Sequence, residues 1–256
     1  MYLPELYDLV TPASFRGDAE WYRRKAAECG GPVLELGAGT GRITLGIARE
    51  GVAVHALDAD RPMLDRLRRK LDDEPAAVRE RVTVTVGDMR AFTLDERFAL
   101  AIAPFRTFLH NLTEDDQLAC LMRVREHLRP GACFAFNVFH PSLEFMARYT
   151  GAFAGLWRLV GTFPRADGGC VVRSECTRYD TVRQRVESDH RYEEYDADAT
   201  LTRTSLQRLE IAYLYPPDIR RLLTQAGFLS VRIAGGFDGR PFENDTDELV
   251  IEATAG

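Results

Sequence analysis

The feature that most restricts the fold of this chain is a glycine-rich turn between an apolar run and a helical pattern. Residues 32–36 form a short apolar run, and Gly37, Gly39 and Gly41 then occupy every second position before a helical pattern at 42–49. Glycine lets the backbone turn sharply and lets a ligand approach closely. The N–H groups at a helix N-terminus favour a carboxylate or phosphate. This segment therefore predicts a ligand-binding turn between a buried strand and a helix.

Apolar strand patterns and amphipathic helix patterns alternate through the first half of the chain. The strand patterns lie at residues 32–36, 52–57, 82–86, 98–103 and 133–139. The helix patterns between them lie at residues 42–49, 62–71 and 114–128. Such alternation predicts a parallel α/β sheet with right-handed connections. Nearly continuous apolar strands fit burial on both faces of that sheet.

The pattern changes in the second half of the chain. Polar and apolar residues alternate at 171–179, 186–195 and 201–213, which predicts an antiparallel meander with one face exposed to solvent. A helix is expected over 219–225. Two further strand patterns follow, at 229–234 and 248–253, and no helix pattern separates them. We therefore expect that last pair to be antiparallel.

These patterns divide the chain into three expected parts. Residues 1–29 form an N-terminal helical cover. Residues 30–140 and 214–256 form one α/β domain. Residues 141–213 form an antiparallel insert that acts as a lid over a substrate or, through its free strand edge, as the contact of a homodimer.

Composition and charge exclude several classes of function. The chain has 33 Lys and Arg against 39 Asp and Glu, a net charge of −6, which argues against a nucleic-acid partner. Neither a signal peptide nor an apolar run of about 20 residues is present, so no membrane partner is expected. The five cysteines lack CxxC spacing, and no metal-ligand spacing is visible. We expect reduced thiols in a cytoplasmic protein without a metal.

Carboxylates and methionines at the ends of the predicted strands indicate a nucleoside ligand. Asp58 ends the second strand pattern, about 20 residues after the first turn glycine, where a carboxylate accepts ribose hydroxyls. Asp88 ends the third strand pattern, where its carboxylate accepts from an exocyclic amine. Met63 and Met89 are placed to flank a flat base. A ligand-free tight turn is the second interpretation, in which Asp58 caps a helix and Asp88 caps a strand. The two aspartates together with the turn are better explained by a nucleoside.

The glycine spacing argues against an enzyme that binds a dinucleotide. The dinucleotide fingerprint is G-x-G-x-x-G, and Arg42 occupies its last position in this chain. A nicotinamide-dependent oxidoreductase is therefore disfavoured.

Taken together, these motifs resemble the class I S-adenosylmethionine-dependent methyltransferases, of the small-molecule type similar to glycine and amino-sugar N-methyltransferases. The matching positions are residues 35–41, Asp58 with Met63, residues 87–89, residues 126–131 and residues 222–228. The resemblance implies a seven-stranded, mostly parallel Rossmann-like sheet with an antiparallel β insert. It also implies S-adenosyl-L-methionine as the cofactor and S-adenosyl-L-homocysteine as its product.

The resemblance implies roles for the matching residues. Glycines of the turn line the methionine part of the cofactor, and the carboxylate and methionine positions hold its ribose and adenine. The cofactor-binding residues so implied are Glu35, Gly37, Ala38, Gly39, Asp58, Ala59, Met63, Gly87, Asp88, Met89 and Ala103. Tyr7 and Tyr22 either cover the cofactor from the N-terminal segment or pack a leading helix on the sheet.

Three residues are candidates for the chemical step. His110 and His140 follow the fourth and fifth strands, at the end of the sheet where ligands bind. Each either accepts a proton near neutral pH or has a structural role. Arg106 either pairs with a carboxylate of the acceptor or holds a loop through an ion pair. Residues 103–106 depart from the Asn/Asp-Pro-Pro-Tyr/Phe motif of methyltransferases that modify amino groups of nucleic acid and glutamine, which disfavours those substrates.

The expected function is methyl transfer from S-adenosylmethionine to a nitrogen or oxygen of a small-molecule acceptor. Because a fold does not fix a function, two alternatives remain open. One is a non-catalytic protein that binds S-adenosylmethionine or another nucleoside. The other is an enzyme of the same fold that transfers no methyl group.

Overall fold

Eleven strands and eight α-helices form within residues 2–14, 17–245 and 247–256, which are the residues that the computed structural model describes. The strands are β1 (Val33–Leu36), β2 (Val54–Asp58), β3 (Val82–Val86), β4 (Phe98–Ala103), β5 (Leu128–Phe139), β6 (Trp157–Pro164), β7 (Cys170–Asp180), β8 (Arg185–Tyr195), β9 (Leu201–Ala212), β10 (Phe228–Ala234) and β11 (Glu248–Ala255). The helices are α1 (Pro4–Ser14), α2 (Asp18–Cys29), α3 (Arg42–Arg49), α4 (Arg61–Asp72), α5 (Ala76–Arg79), α6 (Glu114–His127), α7 (Leu143–Ala147) and α8 (Pro216–Gln225).

Seven strands form the larger sheet, in the order β10-β11-β5-β4-β1-β2-β3. Strands β1 to β5 are parallel to their neighbours among themselves, whereas β11 is antiparallel to both β5 and β10. The predicted fold class and the predicted antiparallel pair are confirmed. The chain runs outward from β1 to β2 on one side and returns to β4 on the other. A crevice forms outside the carboxyl ends of strands at such a switch point, and ligands bind there.

Alternate residues of β1 enter the cores on the two faces of the larger sheet. Leu34 and Leu36 pack with apolar residues of α6 and α8, whereas Val33 packs with Ile43 and Ile47 of α3. All five side chains are nearly or fully buried. Full burial stabilises such a side chain by about 1.5–3 kcal/mol. Two-sided burial explains why β1 reads as a continuous apolar run, and it fixes the point at which the glycine turn begins.

Four strands form a second, antiparallel sheet in the order β6-β7-β8-β9. Three of these strands match the predicted meander. The sequence did not predict β6, because this edge strand leaves most of its apolar side chains exposed and is interrupted by a register shift between Leu159 and Gly161. The regular burial of alternate residues that marks a strand is therefore absent there.

Helix α1, which lies within the expected helical cover of residues 1–29, connects the two sheets. Its Asp8 accepts hydrogen bonds from the Thr40 hydroxyl and from Arg66 and Lys70 of α4. Its Val10 packs with Val171 of β7. Both the ion pairs and the apolar contacts of α1 are made with distant parts of the chain. Within the described residues, no helix is both long enough and apolar enough to cross a membrane.

Candidate functional site

A cleft of about 480 Å³ opens at the carboxyl ends of β1, β2 and β3. Its lining includes these residues predicted to bind a cofactor: Tyr7, Gly37, Gly39, Asp58, Ala59, Met63, Gly87, Asp88 and Met89. The fold therefore brings together residues that the sequence separates by up to about 80 positions.

The glycine turn needs glycine for both conformational and steric reasons. Gly37 and Gly39 have φ angles of +63° and +58°, in the left-handed region that other residues rarely adopt. A Cβ atom at Gly37 would lie 2.4 Å from Cγ2 of Thr107. The turn is thus packed tightly on one side, and its other side lines the cleft.

The Asp58 carboxylate is fixed by backbone donors. The N–H of Gly39 donates to Oδ2 at 2.8 Å, and the N–H of Asp60 donates to Oδ1 at 2.7 Å. Burial raises the pKa of Asp58. Each carboxylate oxygen has a further lone pair beyond the one used by the backbone. Asp58 can therefore accept hydrogen bonds from a diol such as that of ribose without moving.

The far end of the cleft combines methionine sulfur with a charged pair. Asn111 donates from Nδ2 to Sδ of Met89 at 3.3 Å, which fixes that side chain. The Arg90 guanidinium holds Asp88 at 2.6 Å and lowers the pKa of its carboxyl group, and Arg90 also donates to Asp116 at 2.8 Å. Asp88 therefore lines the cleft as a carboxylate already paired with arginine. The sequence reasoning did not identify Arg90 or Asn111, although the spacing of Asp88 and Arg90 was a local signal.

Four of the predicted cofactor residues do not line the cleft. Ala38 and Ala103 are buried in the turn and at the end of β4. Glu35 lies beneath the turn, where Thr44 donates a hydrogen bond to it and burial raises its pKa to about 8. Tyr22 is fully buried and does not line the cleft. Its ring packs a leading helix on the sheet, as the alternative interpretation proposed.

A second cavity, of about 400 Å³, lies between the larger sheet and the four-stranded sheet. Its aromatic wall consists of Phe139, Phe145, Tyr149 and Tyr179. The polar residues of its floor are Arg173, Glu175, Thr177, Ser188, His190 and Gln207. The two cavities have four lining residues in common, namely Tyr2, Tyr7, Phe105 and His110. We call this set of four the shared wall.

The polar floor is internally paired. The hydroxyl groups of Thr177 and Ser188 lie 2.8 Å apart on neighbouring strands. Arg173 lies 3.5 Å from Glu175 and 3.4 Å from Nε2 of His190. Burial and the neighbouring guanidinium lower the pKa of His190 to about 4, so the ring is neutral near pH 7. The floor therefore offers both donors and acceptors inside a largely aromatic cavity.

All three residues predicted for the chemical step line the second cavity. His110 belongs to the shared wall, its Nε2 lies 3.1 Å from the Tyr2 hydroxyl, and burial lowers its pKa. His140 donates from Nδ1 to the carbonyl of Asp245 at 2.9 Å. Arg106 donates two hydrogen bonds to Glu248, at 3.1 and 2.7 Å, as in the ion-pair interpretation.

The turn after β4 has an unusual backbone. Phe105 and Arg106 are consecutive non-glycine residues with φ angles of +54° and +65°. The N–H of Phe105 donates to Oδ1 of Asn137 at 2.9 Å. Residues in the left-handed region persist only where their surroundings hold them, and they concentrate at functional sites. The sequence reasoning did not identify Phe105 or Asn137.

Comparison with known proteins identifies the domain that contains the cleft. Residues 33–131 match the family model described as "Methyltransferase domain". This part of the chain is therefore similar to methyltransferase domains. That segment runs from β1 to the beginning of β5 and includes the glycine turn, Asp58 and the turn after β4. The predicted resemblance to S-adenosylmethionine-dependent methyltransferases is confirmed.

Individual methyltransferases are similar to this chain over different shares of their length. The structure of the CcbJ methyltransferase from Streptomyces caelestis is 27% identical, with a TM-score of 0.79 over 95% of this chain and 98% of that one. The glycopeptide N-methyltransferase MtfA, solved with S-adenosylmethionine, is 29% identical, with a TM-score of 0.56 over 94% of this chain and 96% of that one. The cypemycin N-terminal methyltransferase of a Streptomyces species is 33% identical over 141 residues, which cover 54% of this chain and 55% of the relative. The chain thus spans about half the length of the curated relatives it matches.

Proposed function

We propose that the protein transfers the methyl group of S-adenosylmethionine to an amine nitrogen of a small molecule or short peptide. The observation that carries this proposal is the shared wall. A cleft suited to a nucleoside and a mixed aromatic and polar cavity meet at Tyr2, Tyr7, Phe105 and His110. When bound, the cofactor supplies an electrophilic methyl group on its sulfonium.

The cleft residues fit that cofactor. Asp58 would accept the ribose hydroxyls, and the backbone of the turn at Gly37 and Gly39 would face the amino-acid part of the cofactor. Met63 and Met89 would flank the adenine. Because backbone N–H groups already hold Asp58, its carboxylate needs little rearrangement on binding. Preorganisation of this kind reduces the entropic cost of binding.

The second cavity would hold the acceptor. The four-stranded sheet supplies its floor, so residues 141–213 would act as the acceptor-binding insert and lid, and residues 1–29 as a cover that reaches both cavities. A protonated amine has no lone pair to attack a methyl group. The pKa of His110 is lowered by burial, so its ring is neutral near pH 7 and can accept the amine proton or orient the amine. His140 and Arg106 would line the acceptor without contact to the cofactor cleft.

Nitrogen is preferred over oxygen because of the relatives. The names of two of them describe transfer to nitrogen in a glycopeptide or to an N-terminus.

Calorimetric titration with S-adenosylhomocysteine tests the cofactor part of this proposal. We expect saturable binding that Asp58→Ala weakens by about 10- to 100-fold, since hydrogen bonds to a charged group contribute about 1.5–3 kcal/mol. Asp72→Ala is the matched control, because Asp72 is an exposed carboxylate at the end of α4 and lines neither cavity. Failure of the unmodified protein to bind, or equal binding by Asp58→Ala, would contradict the assignment.

The transfer itself is tested by measuring S-adenosylhomocysteine formation with a panel of amines, peptides with a free N-terminal amine, and phenols. Methylation of amines and not of phenols is the expected result. Methylation of phenols alone would overturn the choice of nitrogen. Tight cofactor binding without turnover of any acceptor would favour a non-catalytic binding protein.

A further inference from the structure

The turn after β4 separates the two cavities, and one buried side chain of the neighbouring strand β5 binds its backbone. We propose that Asn137 of β5 is a positioning residue that fixes this turn, and with it Phe105 of the shared wall, for the reaction. The inference rests on the proposed methyl transfer, because it assigns Asn137 a task in aligning the acceptor with the cofactor.

The backbone of the turn requires support. Left-handed φ angles are unfavourable for residues that carry a Cβ atom, and Phe105 and Arg106 adopt them in succession. Thr107 follows, and both its N–H and its hydroxyl donate to the carbonyl of Pro104. These local hydrogen bonds close the turn but do not attach it to the sheet.

Asn137 makes that attachment. Its side chain is fully buried, and its Oδ1 accepts hydrogen bonds from the N–H of Phe105 and from the hydroxyl of Tyr22, each at 2.9 Å. Its Nδ2 donates to Oε1 of Glu248 at 2.6 Å. Glu248 in turn accepts both hydrogen bonds from Arg106. One amide therefore holds both left-handed residues, Phe105 directly and Arg106 through Glu248.

The chemistry at this position needs an amide. The N–H of Phe105 can only donate and the carboxylate of Glu248 can only accept, so the side chain between them must present an acceptor to one and a donor to the other. A carboxylate at position 137 would keep the acceptor but would face Glu248 as a second negative charge. An apolar residue would remove the acceptor to which the N–H of Phe105 donates.

The position of the turn determines the geometry between the cavities. The Phe105 side chain lines both of them, Arg106 lines the second, and the edge of the Tyr7 ring contacts Phe105 with ring centroids 6.3 Å apart. Transfer between two bound groups is sensitive to displacements of about 1 Å, which can lower a rate by about 100-fold. Asn137 itself lines neither cavity. Its replacement should therefore change alignment more than it changes binding of the cofactor.

Three variants test the proposal against simple core packing. Asn137→Ala should lower kcat for the amine acceptor by about 10- to 100-fold and weaken the affinity for S-adenosylhomocysteine by a much smaller factor. Asn137→Asp should be impaired similarly, because two carboxylates then face each other. Adding Glu248→Gln to Asn137→Asp reverses the direction of the hydrogen bond between the two positions and should recover a large part of kcat.

Hydrogen exchange gives a readout that needs no acceptor. In the protein saturated with S-adenosylhomocysteine, we expect amides in residues 103–109 to exchange about tenfold faster or more in Asn137→Ala. His127→Ala is the control, because His127 is also buried and bonds two backbone groups, from Leu94 and Arg123, but lines neither cavity. It should lower the melting temperature without changing exchange at 103–109.

The outcomes separate the inference from the proposed function. Unchanged exchange at 103–109 and unchanged kcat in Asn137→Ala, with a melting temperature lowered as in His127→Ala, would overturn the positioning role. Faster exchange without turnover by any variant, including the unmodified protein, would show that Asn137 holds the turn but would refute methyl transfer to that acceptor. If Asn137→Ala does not fold, the comparison of Asn137→Asp with its Glu248→Gln double variant decides the question.

Discussion

Replacement of Gly37 by alanine should destabilise the protein by about 2–5 kcal/mol, because the added methyl group meets two separate obstacles. The first is the backbone, since a left-handed conformation costs a residue with a Cβ atom roughly 1–2 kcal/mol, and Gly37 has a φ angle of +63°. The second is steric. The new Cβ atom would lie 2.4 Å from Cγ2 and 2.8 Å from Oγ1 of Thr107. Overpacking of a close-packed site costs about 1–3 kcal/mol.

Thr107 cannot relieve this contact cheaply. It is 9% exposed, and its hydroxyl donates to the carbonyl of Pro104 at 2.7 Å. A shift large enough to accommodate the methyl group would break that hydrogen bond and displace the neighbouring Phe105. We therefore expect Gly37→Ala to weaken binding of S-adenosylhomocysteine as well as to lower stability.

Urea unfolding with linear extrapolation measures the free energy, and two further variants separate its components. Gly51→Ala is the matched control, because Gly51 has a φ angle of +92°, but a Cβ atom added to it would meet none of the described residues within 4 Å. It should lose only the backbone part, about 1–2 kcal/mol. Thr107→Ala added to Gly37→Ala should recover some of the steric part. If Gly37→Ala costs no more than Gly51→Ala, the steric argument is refuted.

Two further predictions concern buried charge. Burial raises the pKa of Glu35 from 4.5 to about 8, so the folded protein keeps a proton that the unfolded chain releases above pH 4.5. The stability gained from keeping this proton is complete below pH 4.5 and is lost as the pH rises to 8. Glu35→Gln should therefore flatten the decline of the free energy of unfolding, measured in urea, across that pH range. An unchanged slope would contradict the role of Glu35. Asp18 is 1% exposed and accepts two hydrogen bonds from Arg42, so Asp18→Ala should cost about 3 kcal/mol by leaving the guanidinium unpaired. Adding Arg42→Met should recover most of the lost free energy of unfolding. If the double variant loses as much stability as Asp18→Ala alone, the explanation is refuted.

Local patterns were sufficient where burial follows the period of a strand or helix. The predicted strand at 82–86 and the predicted strand at 98–103 match β3 and β4 in their bounds. The predicted helix at 114–128 ends one residue earlier, and β5 begins at Leu128 instead of at 133. The Arg-Pro-Gly sequence at 129–131 indicated the end of a helix and a loop. In the structure these three exposed residues lie within β5, but Gly131 has a φ angle of +77° and the pairing of β4 with β5 shifts register here, so the strand is irregular at this point.

The cofactor cleft was easier to predict than the acceptor cavity, for a physical reason. The glycine turn and the carboxylate at the end of the next strand lie about 20 residues apart in one strand–helix–strand segment, so the sequence pattern of that segment was enough to identify Gly37 and Asp58. The support of the turn after β4 is not local. Asn137 and Glu248 are 111 residues apart, and Arg106 and Glu248 are 142 apart. Single buried polar residues of this kind have no periodic pattern by which a sequence could reveal them.

Under the proposed function, the two binding tasks fall to different parts of the chain. In the cleft, Asp58 is held by backbone N–H groups of the turns that follow β1 and β2. The floor of the second cavity is built from side chains of the four-stranded sheet, such as Glu175, His190 and Gln207. If the cleft holds the cofactor and the second cavity holds the acceptor, as we propose, side chains of the insert can be exchanged without moving the backbone around the cofactor. We therefore expect that the acceptor can change while the reaction is retained, provided that the turn at Phe105 keeps its place between the cavities.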